Sequence, residues 1–300
     1  MPTTSSIDSL RGALAGRIAA GWIALGGQLE GVPEASVVDL EALIAVTSRM
    51  SSEIDSRTRG VALDWCVTYG AYVSSVRLAR VAEEIGRRDD VASFAALVSV
   101  SGGKRWSIAA DRRVEPGEVR NRVLVKDLSS DARLLWRLRA AFGVSARADI
   151  LAALLVDEHP SSISDLARRT RYAKRSVAVA IDALALAGLV EVERIGRVNR
   201  VRLGPDSPVR GWGPGPRHTS RVDAVSWWRV GVSVKDVLAA TADAAPVVAA
   251  IERRMSAEAL RSAVVAAELP RPDPAVLGEA FALEYERWAG LLARSIARDR

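Results

Sequence analysis

The chain has 300 residues, of which 49% are apolar and 26% charged, and its net charge is +6. This length allows two or three packing units, each with a buried core. A single cysteine, Cys66, excludes an internal disulfide, and with only His159 and His218 beside it there is no set of zinc ligands. We therefore expect no metal site and no cofactor.

A membrane protein is also not expected. A spanning helix needs roughly 18 uncharged apolar residues, and Asp243 and Pro246 interrupt the best candidate. The apolar segment Ile18 to Leu25 follows basic residues, but Asp8 precedes it and no clear cleavage site follows it. The sequence predicts a cytoplasmic protein with no membrane partner.

Residues 1–129 are predicted to form an N-terminal helical domain. Apolar residues recur at helical spacing in two stripes, which consist of Ile7, Leu10, Leu14, Ile18, Trp22 and Leu25, and of Leu78, Val81 and Ile85. Trp65, Tyr69 and Tyr72 form another stripe, which we interpret as core rather than as a ligand pocket. Alternation of apolar and basic residues from Val119 to Lys126 predicts a loop with a short strand.

Residues 130–203 give the most specific pattern in the chain: a leading helix from Ser130, followed by a first helix, a second helix, a tight turn, a third helix and a β-hairpin. Ser162 and Asp165 stand three residues apart, as in a capping box, and start a helix. The next helix is predicted over Lys174–Ala187, with Gly188 ending it. Alternating apolar residues then predict two strands joined by a hairpin tip at 196–199.

This central region also holds the positive charge. Residues 132–205 carry 13 basic and 7 acidic side chains, an excess equal to the net charge of the whole chain. Two clusters account for most of it. One lies around the tight turn and consists of Arg168, Arg169, Arg171, Lys174 and Arg175; the other lies in the hairpin and consists of Arg194, Arg197, Arg200 and Arg202. A localised positive patch predicts an anionic partner.

The region resembles winged helix-turn-helix transcription regulators of the MarR and ArsR kind. The residues that carry the resemblance are Ser162-Ile-Ser-Asp-Leu-Ala, Val177, Ile181, Leu184 and Ala187-Gly-Leu-Val, and it covers about 60 of the 300 residues. The chain as a whole resembles uncharacterised helix-turn-helix proteins of high-GC bacteria. The resemblance implies a mainly α fold in which a winged helix-turn-helix with a small β-hairpin wing lies between helical flanks.

The resemblance also implies the contacts with double-stranded DNA. Lys174, Arg175, Ser176 and Ala178 would enter the major groove. Arg168, Arg169 and Arg171 would hold the phosphate backbone, Arg197 would reach a phosphate or the minor groove, and the other wing cations Arg194, Arg200 and Arg202 would lie beside it.

Two features of the helix predicted over Lys174–Ala187 depart from the family pattern. Ala173 occupies the position of a Ser, Thr or Pro cap, so the helix lacks a cap worth about 1 kcal/mol. Val179, Ala183 and Leu186 form a second apolar stripe on the outer face. Our hypothesis is that this stripe packs against the flanking helices or against a partner.

The residues after Leu203 predict a boundary and a C-terminal helical region. Prolines and glycines crowd residues 204–221, which we interpret as a linker followed by Trp227 and Trp228 as an anchor in the core. Helices are predicted over Val234–Ile251 and Ser256–Glu268, and a last one begins at Asp273 and Pro274. The seam of this last helix is intrachain core or a dimer contact; it consists of Leu277, Phe281, Tyr285, Trp288, Leu292 and Ile296.

The sequence favours a sequence-specific DNA-binding regulator, expected to act as a repressor and to bind its operator as a homodimer. An alternative is an antitoxin-like or other interaction partner that also binds DNA, with the helical flanks contacting a protein. No catalytic constellation is found, so an enzyme is not expected. The acidic pair Glu83 and Glu84 lacks a partner for acid-base chemistry and is interpreted as a solvated helix end.

Overall fold

The computed structural model describes residues 3–34, 36–85, 87–111, 113–157, 159–196, 198–214 and 223–298. Over these residues the protein is mainly helical and contains a small three-stranded antiparallel sheet. The predicted fold class is therefore confirmed at the level of a mainly α protein with a β-hairpin in its central part.

The N-terminal region contains the helices α1 (Thr3–Ala24), α2 (Leu40–Arg49), α3 (Ser56–Tyr69), α4 (Ser75–Ile85) and α5 (Arg88–Val100). Asp39 and Asp55 start α2 and α3, because their carboxylates accept the backbone N–H groups of Ala42 and Thr58. The two apolar stripes predicted on α1 and α4 are buried, as expected.

The strand predicted near Val119 to Lys126 does not form; its only ladder contact in the described residues is one bridge between Gly27 and Val123. The buried carboxylate of Asp64 explains the difference, since it accepts the backbone N–H groups of Arg120 and Arg122 at 3.1 and 2.7 Å. These amides are therefore not free to pair with another strand.

The aromatic stripe on α3 is part of the core, as predicted. Trp65 is fully buried, and its ring centroid lies 5.9 Å from that of Trp22 and 5.1 Å from that of Trp136. Tyr69 packs edge-on against Trp136 at 4.7 Å. These tilted and edge-to-face pairs fill the space between α1, α3 and the first central helix.

The central region runs through α6 (Leu134–Phe142), α7 (Ala146–Val156), β1 (Ser161–Ser162), α8 (Ile163–Thr170), α9 (Lys174–Leu186), β2 (Val190–Ile195) and β3 (Val198–Leu203). The strands are antiparallel in the order β1-β3-β2, with Ser161 opposite Val201 and Val190 opposite Leu203. The predicted capping box forms, and Gly188 ends α9 with a φ of 71°.

The C-terminal region contains α10 (Ala224–Ala240), α11 (Pro246–Ala259), α12 (Arg261–Ala266) and α13 (Ala280–Arg298). The predicted boundaries were wrong here. Pro246 stands at the first position of α11 rather than inside a helix, because its ring and missing N–H suit only a first turn. Asp273 accepts the N–H of Ala275 in a turn, so the last helix begins only at Ala280.

The terminal regions pack against each other. α13 lies along α1, and α10 contacts α1, α2 and α4. The apolar residues of the seam from Phe281 to Ile296 are buried in this contact. The seam is therefore part of the intrachain core and not a dimer contact, although its first residue, Leu277, is exposed. Trp227 and Trp228 are buried at the start of α10, as the anchor prediction requires.

The predicted linker 204–221 lies partly outside the described residues. Its first part is held against the central region, since the ring of Trp212 lies 6.2 Å from that of Phe142 and its carbonyl accepts a hydrogen bond from Arg137.

Candidate nucleic-acid interface

The first turn of α9 presents polar and basic side chains to solvent. Lys174, Arg175 and Ser176 are exposed, and Ala178 is half-buried. Ala173 precedes them at the N-cap and has no side-chain acceptor to offer, as predicted. The first backbone N–H groups of the helix are thus left without a side-chain cap, and the positive end of the helix dipole adds to the two cations.

The hairpin formed by β2 and β3 carries the second set of cations. Arg194 is exposed, and its guanidinium donates to the carbonyl of Gly196. Arg202 is paired across the strands with Glu191 at 2.7 Å, and Arg200 lies 3.9 Å from Asp165. Both pairs are exposed, so they offset the positive charge only in part. Arg197, predicted to reach the DNA, lies outside the described residues.

The arginines on α8 do not point to one surface. Arg168 is exposed, with Asp165 at 3.8 Å. Arg169 turns inward, where it donates to the carbonyl of Ala153 at 2.8 Å and lies 3.3 Å from Asp157. Arg169 thus ties α8 to α7, and of these two arginines only Arg168 stays open to a phosphate.

Arg171 is buried in the turn between α8 and α9. Its backbone is left-handed, with a φ of 57°, and its side chain is only 6% exposed. The guanidinium lies 2.9 Å from Glu84 on α4 and 2.8 Å from Asp223 before α10. Burial lowers the pKa of Arg171, but Asp223 and Glu84 more than offset this and raise it. Glu84 is therefore half of an ion pair and not a solvated helix end, because α4 passes beside the turn.

Helix α4 also binds the backbone of the same turn. Arg77 donates to the carbonyl of Thr170 at 3.0 Å, and Arg80 donates to that of Arg171 at 2.7 Å. The sequence analysis missed these residues. The available signal was the spacing of Arg77, Arg80 and Glu84, which places three charged side chains along one edge of the apolar stripe of α4.

Behind the turn lies a buried network of five charged groups. Arg139 is fully buried and donates to Asp149 at 2.9 and 2.8 Å and to Glu41 at 2.6 and 3.0 Å. Arg77 pairs with Asp39 and Glu41 and lies 3.7 Å from Asp149. Charges from α2, α4, α6 and α7 thus meet in one place, which joins the N-terminal helices to the central region.

The network has opposite effects on its carboxyl groups. Burial raises the pKa of Asp39, but the charge and hydrogen bonds of Arg77 outweigh this and lower it to about 2. At Asp149 burial outweighs Arg139, and the pKa is raised. Burial and the nearby charge of Asp149 raise the pKa of Tyr172 to about 12, and its hydroxyl donates to Ser74. Tyr172 is therefore neutral and acts as a donor in the turn.

The second apolar stripe of α9 faces solvent. Val179 is 63% exposed and Leu186 is 92% exposed, while Ala183 is half-buried. The first half of our hypothesis, that the flanking helices cover the stripe, is therefore wrong. Its second half, a separate partner, stays a prediction.

The described residues contain no group of three or more His, Cys, Asp and Glu side chains that could hold a metal ion. The ring nitrogen Nδ1 of His159 lies 3.1 Å from the carboxylate of Asp157. The hydroxyl of Ser161 donates to the backbone carbonyl of His159 and not to its ring, so these three residues do not form a Ser-His-Asp triad. Cys66 is buried, and burial raises the pKa of its thiol well above the usual value. No helix in the described part of the chain is long and apolar enough to cross a membrane.

Comparisons with known proteins returned no match: no family model, no curated protein and no solved structure is significantly similar to this chain. The functional argument therefore depends on the chain's own residues and their geometry.

Proposed function

We propose that residues 146–203 form a winged helix-turn-helix and that the protein is a sequence-specific DNA-binding transcriptional regulator, acting as a repressor. The observation that carries this proposal is the exposed first turn of α9. Lys174 and Arg175 project there from an uncapped helix start, and the two-stranded hairpin that follows α9 carries further cations. A helix of this kind fits the major groove, and its first residues are those that reach base edges.

The order of the elements supports the same proposal. α7, β1, α8, α9, β2 and β3 follow one another, and β1 pairs with β3, which is the central strand of the sheet. This pairing holds the hairpin against the start of α8, and β2 contacts α9. In the proposal α9 and the hairpin approach the same duplex. In the proposal Arg168 and Arg194 contact phosphates, whereas Arg169 and Arg171 act inside the protein as supports of the α8–α9 turn.

A homodimer is part of the proposal, because two copies would place two α9 helices in successive major grooves, roughly 34 Å apart. Helix α4 supplies the support on which the α8–α9 turn is fixed, through Arg77, Arg80 and Glu84.

Salt dependence of DNA affinity tests the electrostatic part of the proposal. With about four phosphate contacts per protomer, the slope of log affinity against log salt should be about −3 to −4 per protomer on a random-sequence duplex, measured by fluorescence anisotropy. Arg194→Ala should weaken binding on all sequences and make the slope shallower by about 0.9. The matched control is Arg88→Ala on α5, which removes an exposed arginine that lies outside the central region. Binding that does not respond to salt would overturn the proposal.

Base reading is tested separately. Duplexes selected from a random pool should define a preferred site, at which Lys174→Ala and Arg175→Ala each cost about 1 to 3 kcal/mol while non-specific affinity falls less. If the selected and random duplexes bind equally well, the protein does not read sequence through α9.

A second candidate function is an antitoxin-like or other protein-interaction module that also binds DNA. The specific observation in its favour is the exposed stripe on α9, where Leu186 is 92% exposed. Large apolar side chains at such exposure mark contact surfaces when they are contiguous with others. Leu186→Glu should then abolish association with the protein partner and leave DNA affinity unchanged, whereas a change in DNA affinity alone would refute this second function.

A further inference from the structure

A groove of about 1000 Å³ opens in the N-terminal region, and none of its lining residues belongs to the surface proposed to bind DNA. It lies between the first turns of α3, the middle of α5 and the segment 114–122 that crosses α3. A cavity between α1, the residues before α2 and the start of α10 holds only about 90 Å³, and one beneath the α8–α9 turn holds about 120 Å³, which is room for a few water molecules. Two more open depressions measure about 490 Å³ between α1 and α13 and about 370 Å³ beside the start of α8. The groove in the N-terminal region is the largest of these five and has room for a small organic molecule.

The wall formed by residues 114–122 is held in place by polar contacts. Asp64 accepts the N–H groups of Arg120 and Arg122 and also the Arg122 guanidinium at 3.0 Å, and the hydroxyl of Ser101 accepts the N–H of Gly117. Burial raises the pKa of Asp64, but its bonds to Arg122 outweigh this and lower it, so the carboxylate is charged. The wall is therefore a fixed part of the fold and not a loose loop.

Two glycines allow the close fit of this wall on α3. A Cβ atom on Gly60 would lie 2.0 to 2.5 Å from the guanidinium of Arg122, and one on Gly117 would lie 2.4 Å from Leu63. Real Cβ contacts are essentially never that short, so a side chain at either position would displace the Arg122 guanidinium or the end of the Leu63 side chain. Glycine at both positions lets these two side chains lie where they do.

The lining combines an apolar floor with an excess of positive charge. Leu63, Phe94 and Leu97 supply the floor. Four arginines and two acids line the rim, and the arginines are Arg57, Arg59, Arg120 and Arg122. Arg122 is held by Asp64 and Arg120 by Glu118. Arg57 pairs with no carboxylate of the described residues, and Arg59 donates to the carbonyl of Ser51. Two cations are thus not neutralised at the mouth of the groove.

We propose that this groove binds a small organic anion, with its carboxylate, sulfonate or phosphate group at Arg57 and Arg59 and its aromatic or apolar body against Phe94. An apolar floor with few charged groups at one end is the usual composition of a small-molecule site. Guanidinium groups suit planar or tetrahedral oxyanions because they donate two parallel hydrogen bonds. This proposal is independent of the proposed DNA binding.

A pair of probes that differ in charge tests it. The full chain is titrated with 8-anilinonaphthalene-1-sulfonate and with its neutral counterpart N-phenyl-1-naphthylamine, and fluorescence and calorimetry give affinity and stoichiometry. We expect one sulfonate probe per protomer, bound roughly a hundredfold more tightly than the neutral one, as one charge-assisted hydrogen bond from each of the two arginines would give. Arg57→Gln and Arg59→Gln should each weaken the sulfonate roughly tenfold and leave the neutral probe unchanged.

Matched variants locate the site. Arg88→Gln removes a side chain that is 54% exposed outside the groove and should change nothing. Phe94→Ala should weaken both probes, and its unfolding curve shows whether the fold is kept. The proposal is overturned if both probes bind alike, if the Arg57→Gln/Arg59→Gln double variant binds the sulfonate normally, or if only Leu186→Glu lowers binding, which would place the probe on the exposed stripe of α9.

Discussion

Replacing Arg171 by methionine separates the role that the basic cluster suggests from the role that its burial suggests. A phosphate-binding arginine contributes to DNA affinity and little to stability. A buried arginine between two carboxylates does the reverse. Arg171→Met keeps the apolar stem and removes the guanidinium that lies 2.9 Å from Glu84 and 2.8 Å from Asp223.

The expected cost follows from the exposure of the two acids. Glu84 is 35% exposed, so water solvates its carboxylate once the guanidinium is gone. Losing the Arg171–Glu84 ion pair therefore costs at most about 1 kcal/mol. Asp223 is only 7% exposed, and a buried charge that loses its partner costs about 3 kcal/mol or more. The sum is about 3 to 4 kcal/mol. For a chain of this size about 2 °C corresponds to each kcal/mol, so the melting temperature should fall by about 6 to 8 °C.

Urea unfolding followed by circular dichroism measures the change in the free energy of unfolding, and thermal unfolding followed in the same way measures the change in melting temperature. Arg168→Met is the matched control, since Arg168 is 56% exposed and 3.8 Å from its acid, and it should lose less than about 1 kcal/mol. Asp223→Asn added to Arg171→Met should restore part of the stability, because the amide removes the unpaired charge and still caps α10. Equal midpoints for Arg171→Met and Arg168→Met would refute the reasoning. So would a slope of DNA affinity against salt that becomes shallower in folded Arg171→Met.

Two further predictions concern other parts of the molecule. The pKa of Asp39 is lowered to about 2 in the folded protein and is near 3.9 in the unfolded chain. Ionised Asp39 therefore stabilises the folded protein by about 2 kcal/mol above pH 4, and this stabilisation is lost as the pH falls toward 2. Urea midpoints measured across that range should fall in the wild type and stay flatter in Asp39→Asn. Leu186→Glu should change the free energy of unfolding by less than about 0.5 kcal/mol, because the side chain is 92% exposed, and a larger loss would mean that Leu186 is covered.

Local patterns were enough for the central elements. The capping pair Ser162 and Asp165, the uncapped start at Ala173 and the glycine stop at Gly188 all lie where the sequence predicts them. These features depend on residues within one or two turns of each other, so the sequence alone contains the relevant contacts. The buried aromatic stripe from Trp65 was predictable for the same reason, since helical periodicity shows which side of a helix is apolar.

The terminal helices were predicted less well. The helix predicted over Val234–Ile251 ran through Pro246, where the structure starts a new helix, and Asp273 suggested a start that does not form. The start of a helix is a balance between local signals and the burial of its face. α13 begins at Ala280, where Phe281 and Tyr285 first meet the core, and the turn at Asp273 has its own hydrogen bonds. The question of core or dimer seam could be decided only by the position of α1.

The candidate sites show most clearly which features the sequence determined and which depended on the tertiary structure. The sequence by itself determined that positive charge concentrates around α8, α9 and the hairpin, and that the first turn of α9 carries Lys174 and Arg175. Only the tertiary structure decided that Arg171 is a buried support and that Arg57 and Arg59 stand at a groove. The reason is that a side chain's charge is a local property, whereas its burial and its partners depend on elements such as α4 that lie some 90 residues away in the chain.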